Sequence, residues 1–236
     1  MVKIIFKIDL KQDAKNWVRV AKMKKHPFGR RRQDLVEKIP RDLLKKMVRL
    51  SKKQAINVAY KFLKKNSKNF LPGLKADKNL LEFYFRYKGG GLFEALAKIT
   101  GEPIYTNKFF ATFTLMSSCP YDPDYNWFMI AVKNPTPKQL TNICHEIFHL
   151  QFIHYYQNYC LNQGLTEKQF QALKESLTFL LNEPVFEKFY LAPDKGYPNH
   201  QELRKKLKKV WQKEKNFRKF LDKAIEKFLA SHLVNL

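Results

Sequence analysis

The chain has 236 residues, 44% of them hydrophobic and 20 of them Phe, which is too apolar for a disordered polypeptide and enough for one sizeable core. Its net charge of +24 is uneven: residues 1–100 carry 27 Lys and Arg against 8 Asp and Glu, residues 101–200 carry 7 against 9, and residues 201–236 carry 11 against 4. No run of about 18 apolar residues occurs, and the cysteines (Cys119, Cys144, Cys160) are odd in number and sparse, which argues against a membrane-spanning helix and a disulfide framework.

The N-terminal stretch MVKIIFKIDLK has too short an apolar piece, and no small-residue cleavage site, for a signal peptide, so a cytoplasmic protein is expected. Residues 2–9 are rich in Ile, Val and Phe and read as a strand. Residues 12–25 and 33–70 read as basic amphipathic helices, separated by Pro27 and Gly29. Residues 69–79, with Pro72 and Gly73, read as a further break. Residues 80–91 read as a strand or a short helix ending at a glycine turn, and 91–101 as a helix closed by Gly101.

From Pro103 the apolar period changes to two, predicting strands over 104–116 and 126–134, paired as a hairpin or as neighbours across the polar connection 117–125. Thr136, Pro137 and Gln139 supply an N-cap, a first-turn proline and a capping-box partner for a helix reaching about Tyr159. Thr166 and Gln169 repeat the capping box before a helix whose buried stripe is Phe170, Leu173, Leu177 and Leu181. Residues 192–200 read as a loop, and 201–230 as a last basic helix.

His145, Glu146 and His149 form an HExxH pattern inside the first of these capped helices. Residues four apart share one helical face, so two imidazoles there can bind one zinc ion, with Glu146 placed to take a proton from a water on it. The flanking residues Ile143, Cys144, Ile147, Phe148 and Leu150 are apolar, and burying His, Glu and His among them without a partner is costly. Cys144 points about 100° away around the helix and reads as packing. His154 also lies off this face.

With this motif, two strands before it and acidic residues on the next helix, the sequence over 104 to about 204 resembles the gluzincin metallopeptidases, which are thermolysin-like and aminopeptidase-like enzymes. The resemblance implies an α+β, zincin-like core, here within a catalytic domain over 101–236; residues 1–100, which carry no such resemblance, read as a basic, mostly helical region before it. It implies one catalytic Zn2+, a peptide or protein substrate laid along the 126–134 strand as a sheet edge, and a glutamate as third ligand. Glu175 follows His149 after 25 residues and Glu183 after 33. Glu175 is favoured because it sits mid-helix and at the spacing nearer the family's, whereas Glu183 precedes Pro184 and is pushed from helical geometry. The metzincin pattern is absent, since neither a Gly three residues after His149 nor a His six residues after it is present.

The family also places a Tyr or His beyond the third ligand to steady developing negative charge, and His200, Tyr197 and Tyr190 are the candidates, His200 first. Phe179 stands where thermolysin-like enzymes carry an Asp four residues after the ligand, so the resemblance names no acid to orient a ligand histidine; Thr178 or a backbone carbonyl could substitute. Arg204 reads first as a surface residue of a basic helix, with holding a carboxylate as the alternative. The leading expectation is a zinc-dependent peptidase with Glu146 as general base. The alternative is a nucleic-acid-associated protein, its basic ends binding phosphates or acidic partners, with the zincin core tethered or inactive.

Overall fold

The computed structural model of the chain describes residues 2–24, 31–132 and 134–230. It is α+β and mostly helical. Its strands are β1 (Lys3–Lys7), β2 (Lys108–Thr114), β3 (Tyr121–Asp122) and β4 (Trp127–Ala131). Its helices are α1 (Leu10–Lys22), α2 (Arg32–Val36), α3 (Arg41–Arg49), α4 (Lys52–Lys65), α5 (Leu71–Thr100), α6 (Thr136–Asn162), α7 (Glu167–Leu177), α8 (Gln201–Glu214) and α9 (Phe217–Ala230). The segment read as a break at Pro27 and Gly29 lies largely outside the described residues.

The chain divides into two compact units. The sheet unit comprises Lys3–Tyr87 and Lys108–Gln139; the helical unit comprises Lys88–Asn107 and Leu140–Leu236, together with the first two residues. Within the sheet unit the strand order is β1-β2-β4-β3, with β1, β2 and β4 parallel and β3 antiparallel to β4. Trp17, Val18, Leu35, Met47 and Leu63 anchor a core in which α1 packs against α3 and α4.

Several expected elements take a different form. The region 33–70 is three helices, because Pro40 lacks an N–H and the Ser51–Gln54 capping box starts α4 afresh. The expected break at 69–79 is helix from Leu71 onward, and of the strand or short helix expected at 80–91 it is the helix that forms, running on through the glycines to Thr100. Pro72 sits in the first turn of α5, where its missing N–H costs nothing, and buried Leu81, Leu92, Phe93 and Leu96 outweigh the roughly 1 kcal/mol that each interior Gly costs against Ala. Gly101 ends α5 at φ +74, as the sequence implies. The predicted last helix is two, split where Lys215 takes a left-handed conformation and the Asn216 side chain accepts from the Lys219 N–H.

The two predicted strands are neighbours, but parallel, because the connection between them is long enough to cross over. β3 and the Pro120 carbonyl already take up the outer edge of β4 at Trp127–Met129. The expectation that residues 126–134 offer a sheet edge to a peptide is therefore corrected at Trp127–Met129. Gln139 also departs from its expected role. Its amide donates to Asp77 and to the Val132 and Asn134 carbonyls, and Lys138 N–H and Gln139 N–H bond the Pro135 carbonyl, so the helix starts without a Thr136 capping box. The Thr166–Gln169 box does form.

Candidate metal centre

The helical unit holds the HExxH side chains within α6, which is buried nearly all round: Ile143, Cys144, Ile147, Phe148 and Leu150 are each fully buried. His149 and Glu146 are buried with them, and the His145 side chain is 17% exposed, the largest opening in the group. α7, begun by its capping box, presents Glu175 from its last turns, also buried. One ligand-capable atom each of His145, His149 and Glu175 lies within 4.8 Å of the others.

The distances bear on what such a cluster can hold. Glu175 Oε2 lies 3.5 Å from His145 Nε2 and 3.5 Å from His149 Nε2. That is long for a charge-assisted hydrogen bond, yet close to the roughly 3.4 Å between ligand atoms of a tetrahedral ion with arms of about 2.0–2.1 Å. Glu175 Oε2 and Glu146 Oε2 are buried without a hydrogen-bond partner among the described residues, an arrangement that is costly unless a cation or water meets them. Two imidazoles and a carboxylate form a donor set suited to a borderline divalent ion. The residues therefore fit a metal.

Of the two candidate glutamates, Glu175 is the one that lies with the two imidazoles. Glu183 instead sits at extended backbone before Pro184 and pairs with Lys215 at 2.9 Å. The neighbouring Lys174 is 1% exposed, and its Nζ lies 3.4 Å from Glu175 Oε1, so Oε2 is the oxygen left facing the imidazoles. Burial works to raise the Glu175 carboxyl, but His149, His145 and Lys174 together hold it well below the usual carboxylate range.

The orienting acid that the sequence did not reveal is Asp194, whose Oδ2 lies 2.8 Å from His145 Nδ1. Fixing Nδ1 turns Nε2 toward Glu175. Asp194 is itself over-determined. Arg204 donates from Nη2 to its Oδ1 at 3.0 Å and to its carbonyl at 2.7 Å. Gly196 N–H donates to the same Oδ1, Thr178 Oγ1 lies 3.0 Å from it, and the Asn182 amide brackets the Asp194 backbone from both sides. The Thr141 hydroxyl ties the same loop to α6 through the Ala192 carbonyl. Arg204, read first as a surface residue, takes its alternative role instead and holds a carboxylate from a buried position; its place inside follows from the Leu203–Leu207 stripe of α8 turning it inward. A Cβ on Gly196 would come within 2.6 Å of Arg204 Nη1, so this loop needs glycine both for its φ of +63 and for room.

The electrostatics divide the two histidines. Burial alone would strip the proton from His145, but Asp194 and then Glu175 reverse this and raise it to about 10. Burial lowers His149 well below its ordinary range. Burial also raises the Glu146 carboxyl to about 7, a value suited to moving protons near neutrality. Asp194 is held low by His145 and Arg204 against its burial. Burial pushes the Cys144 thiol far up, in keeping with a packing role.

The expected helpers fall in different places. His200 is buried on the short turn Pro198–His200, close enough for Glu175 to work against the burial that lowers its pKa. Tyr197 meets the His200 ring edge-on at 6.0 Å. Tyr190 is 74% exposed at a left-handed turn and has no buried setting. His154 is exposed and stacks on Tyr105, away from the group.

Comparison with protein-family models, with curated proteins and with solved structures gives no match to the chain.

Proposed function

We propose that the chain is a zinc-dependent metallohydrolase acting on peptide bonds, with His145, His149 and Glu175 as the zinc ligands and Glu146 as the general base. The observation that carries this reading is the convergence of both α6 imidazoles on the single Glu175 oxygen at 3.5 Å, beside a buried glutamate one residue along the helix. Zinc bound there would supply Lewis acidity toward a carbonyl and lower the pKa of water to about 7. Glu146, raised by burial, accepts a proton from the attacking water and returns it to the leaving amine. Asp194 keeps His145 in one tautomer and orientation, and Arg204 keeps Asp194 in place. His200 is the candidate donor to negative charge developing on the scissile carbonyl oxygen.

The test is hydrolysis of an unstructured protein such as casein by the purified chain, with chelator and with zinc restored. Activity lost to chelator and regained with zinc supports the reading; activity indifferent to chelator overturns it.

A further inference from the structure

The basic excess of this chain is not spread evenly over its helices. α3 carries Arg41, Lys45, Lys46 and Arg49 against one acid, Asp42, and α4 carries Lys52, Lys53, Lys61, Lys64 and Lys65 against none. All nine cations are exposed. None forms an ion pair among the described residues. The basic helices of the helical unit differ. There Glu202, Glu214 and Asp222 are interleaved with the lysines and arginines and pair with Lys205, Lys223 and Arg218, and Lys215 pairs with Glu183.

Periodicity gathers the charges into stripes. On α4 the buried Ala55, Ala59 and Leu63 mark the inner side, which puts Lys53, Lys61, Lys64 and Lys65 on the outer one. On α3 the four-residue steps of Arg41, Lys45 and Arg49 place them along a single face. α3 and α4 pack against each other, as α4 does against α1, so the two stripes lie on adjoining helices of the sheet unit. Cations crowded in this way repel one another and cost stability unless an anion meets them.

We infer that the α3–α4 surface binds the phosphodiester backbone of nucleic acid, independently of base sequence. A membrane surface is a poorer fit. Helices that lie in lipid bring bulky apolar anchors to the water boundary, and on α3 and α4 the one large apolar residue exposed is Val48. A protein partner is also a poorer fit, because lysine is depleted from the buried centres of protein interfaces. A regular polyanion needs only repeated point charges, which is what these two helices offer.

The experiment is fluorescence anisotropy of the full chain with labelled duplex and single-stranded oligonucleotides of unrelated sequences, from 50 to 200 mM salt. Binding should be alike for unrelated sequences, and log K against log salt should fall with a slope of about −4 or steeper for five or more phosphate contacts. Lys61→Glu/Lys64→Glu/Lys65→Glu should weaken binding by about tenfold or more and flatten the slope by about 2 to 3. Lys206→Glu/Lys209→Glu/Lys213→Glu changes net charge equally on α8 and should leave affinity within about twofold. All the exchanged side chains are exposed, and circular dichroism checks that both variants fold. No oligonucleotide binding at 50 mM salt, equal weakening by both triple variants, or binding to phosphatidylserine vesicles without binding to oligonucleotides would each overturn the proposal. Chelator should change none of these readings, so the result is separable from the hydrolase reading.

Discussion

On the proposed reading Glu146 and Asp194 do different work at the same centre, and substitution separates them. Glu146→Gln removes a base and leaves the donor set intact, so zinc content should be unchanged while the hydrolysis rate falls by about 10²- to 10⁴-fold. Asp194→Asn removes the charge that holds His145, so zinc affinity, measured by competition with a chromogenic chelator, should weaken by about 10- to 100-fold. If Asp194→Asn bound zinc as tightly as the parent, the orienting role would be wrong. These two residues also show what sequence can reveal. His145, Glu146 and His149 are legible because helical geometry alone puts them on one side, and Glu175 because it lies on a rigid neighbouring element. Asp194 was not, since a loop residue 49 positions from His145 carries no local mark of their meeting, and Arg204 was legible only as an alternative carboxylate holder whose partner could not be named.

At the scale of the elements, the loop bearing Asp194 depends on Gly196. Gly196→Ala places a methyl against Arg204 and strains a left-handed backbone, which costs about 1–2 kcal/mol before the clash is counted. The variant should therefore melt at lower temperature and also bind zinc more weakly, whereas a purely local strain would leave metal affinity alone. In the sheet unit, α1 buries Asp13, whose carboxylate accepts from the Thr114 hydroxyl at 2.6 Å. Burial raises its pKa from 3.8 to about 6. The folded state then holds this proton more tightly than the unfolded chain does. Its contribution to stability is full below about pH 4 and lost as pH rises through 6. Asp13→Asn should gain on the parent protein by up to about 3 kcal/mol between pH 4 and pH 7, read by urea denaturation. Element legibility followed the same logic as residue legibility. The Thr166 box and the Gly101 stop act locally and could be read. The run of glycines inside α5, and the parallel rather than hairpin pairing of β2 with β4, are decided by burial and by chain crossing that no short window contains.

Over the whole molecule, the proposed metal centre falls in one unit and the unpaired basic side chains of α3 and α4 in the other, which makes the two readings separately testable. A ligand that binds only the folded helical unit stabilises it by mass action, about 4 kcal/mol at a thousand times its dissociation constant. Zinc should thus raise the melting transition of the parent chain and leave that of His149→Ala unmoved. The most direct measurement of the central claim is zinc stoichiometry by elemental analysis, on the parent chain, Glu146→Gln and His149→Ala, after exposure to zinc and dialysis. The account predicts one zinc per chain in the first two and none in the third; a parent chain that retains no zinc, or a His149→Ala chain that retains as much, would contradict it.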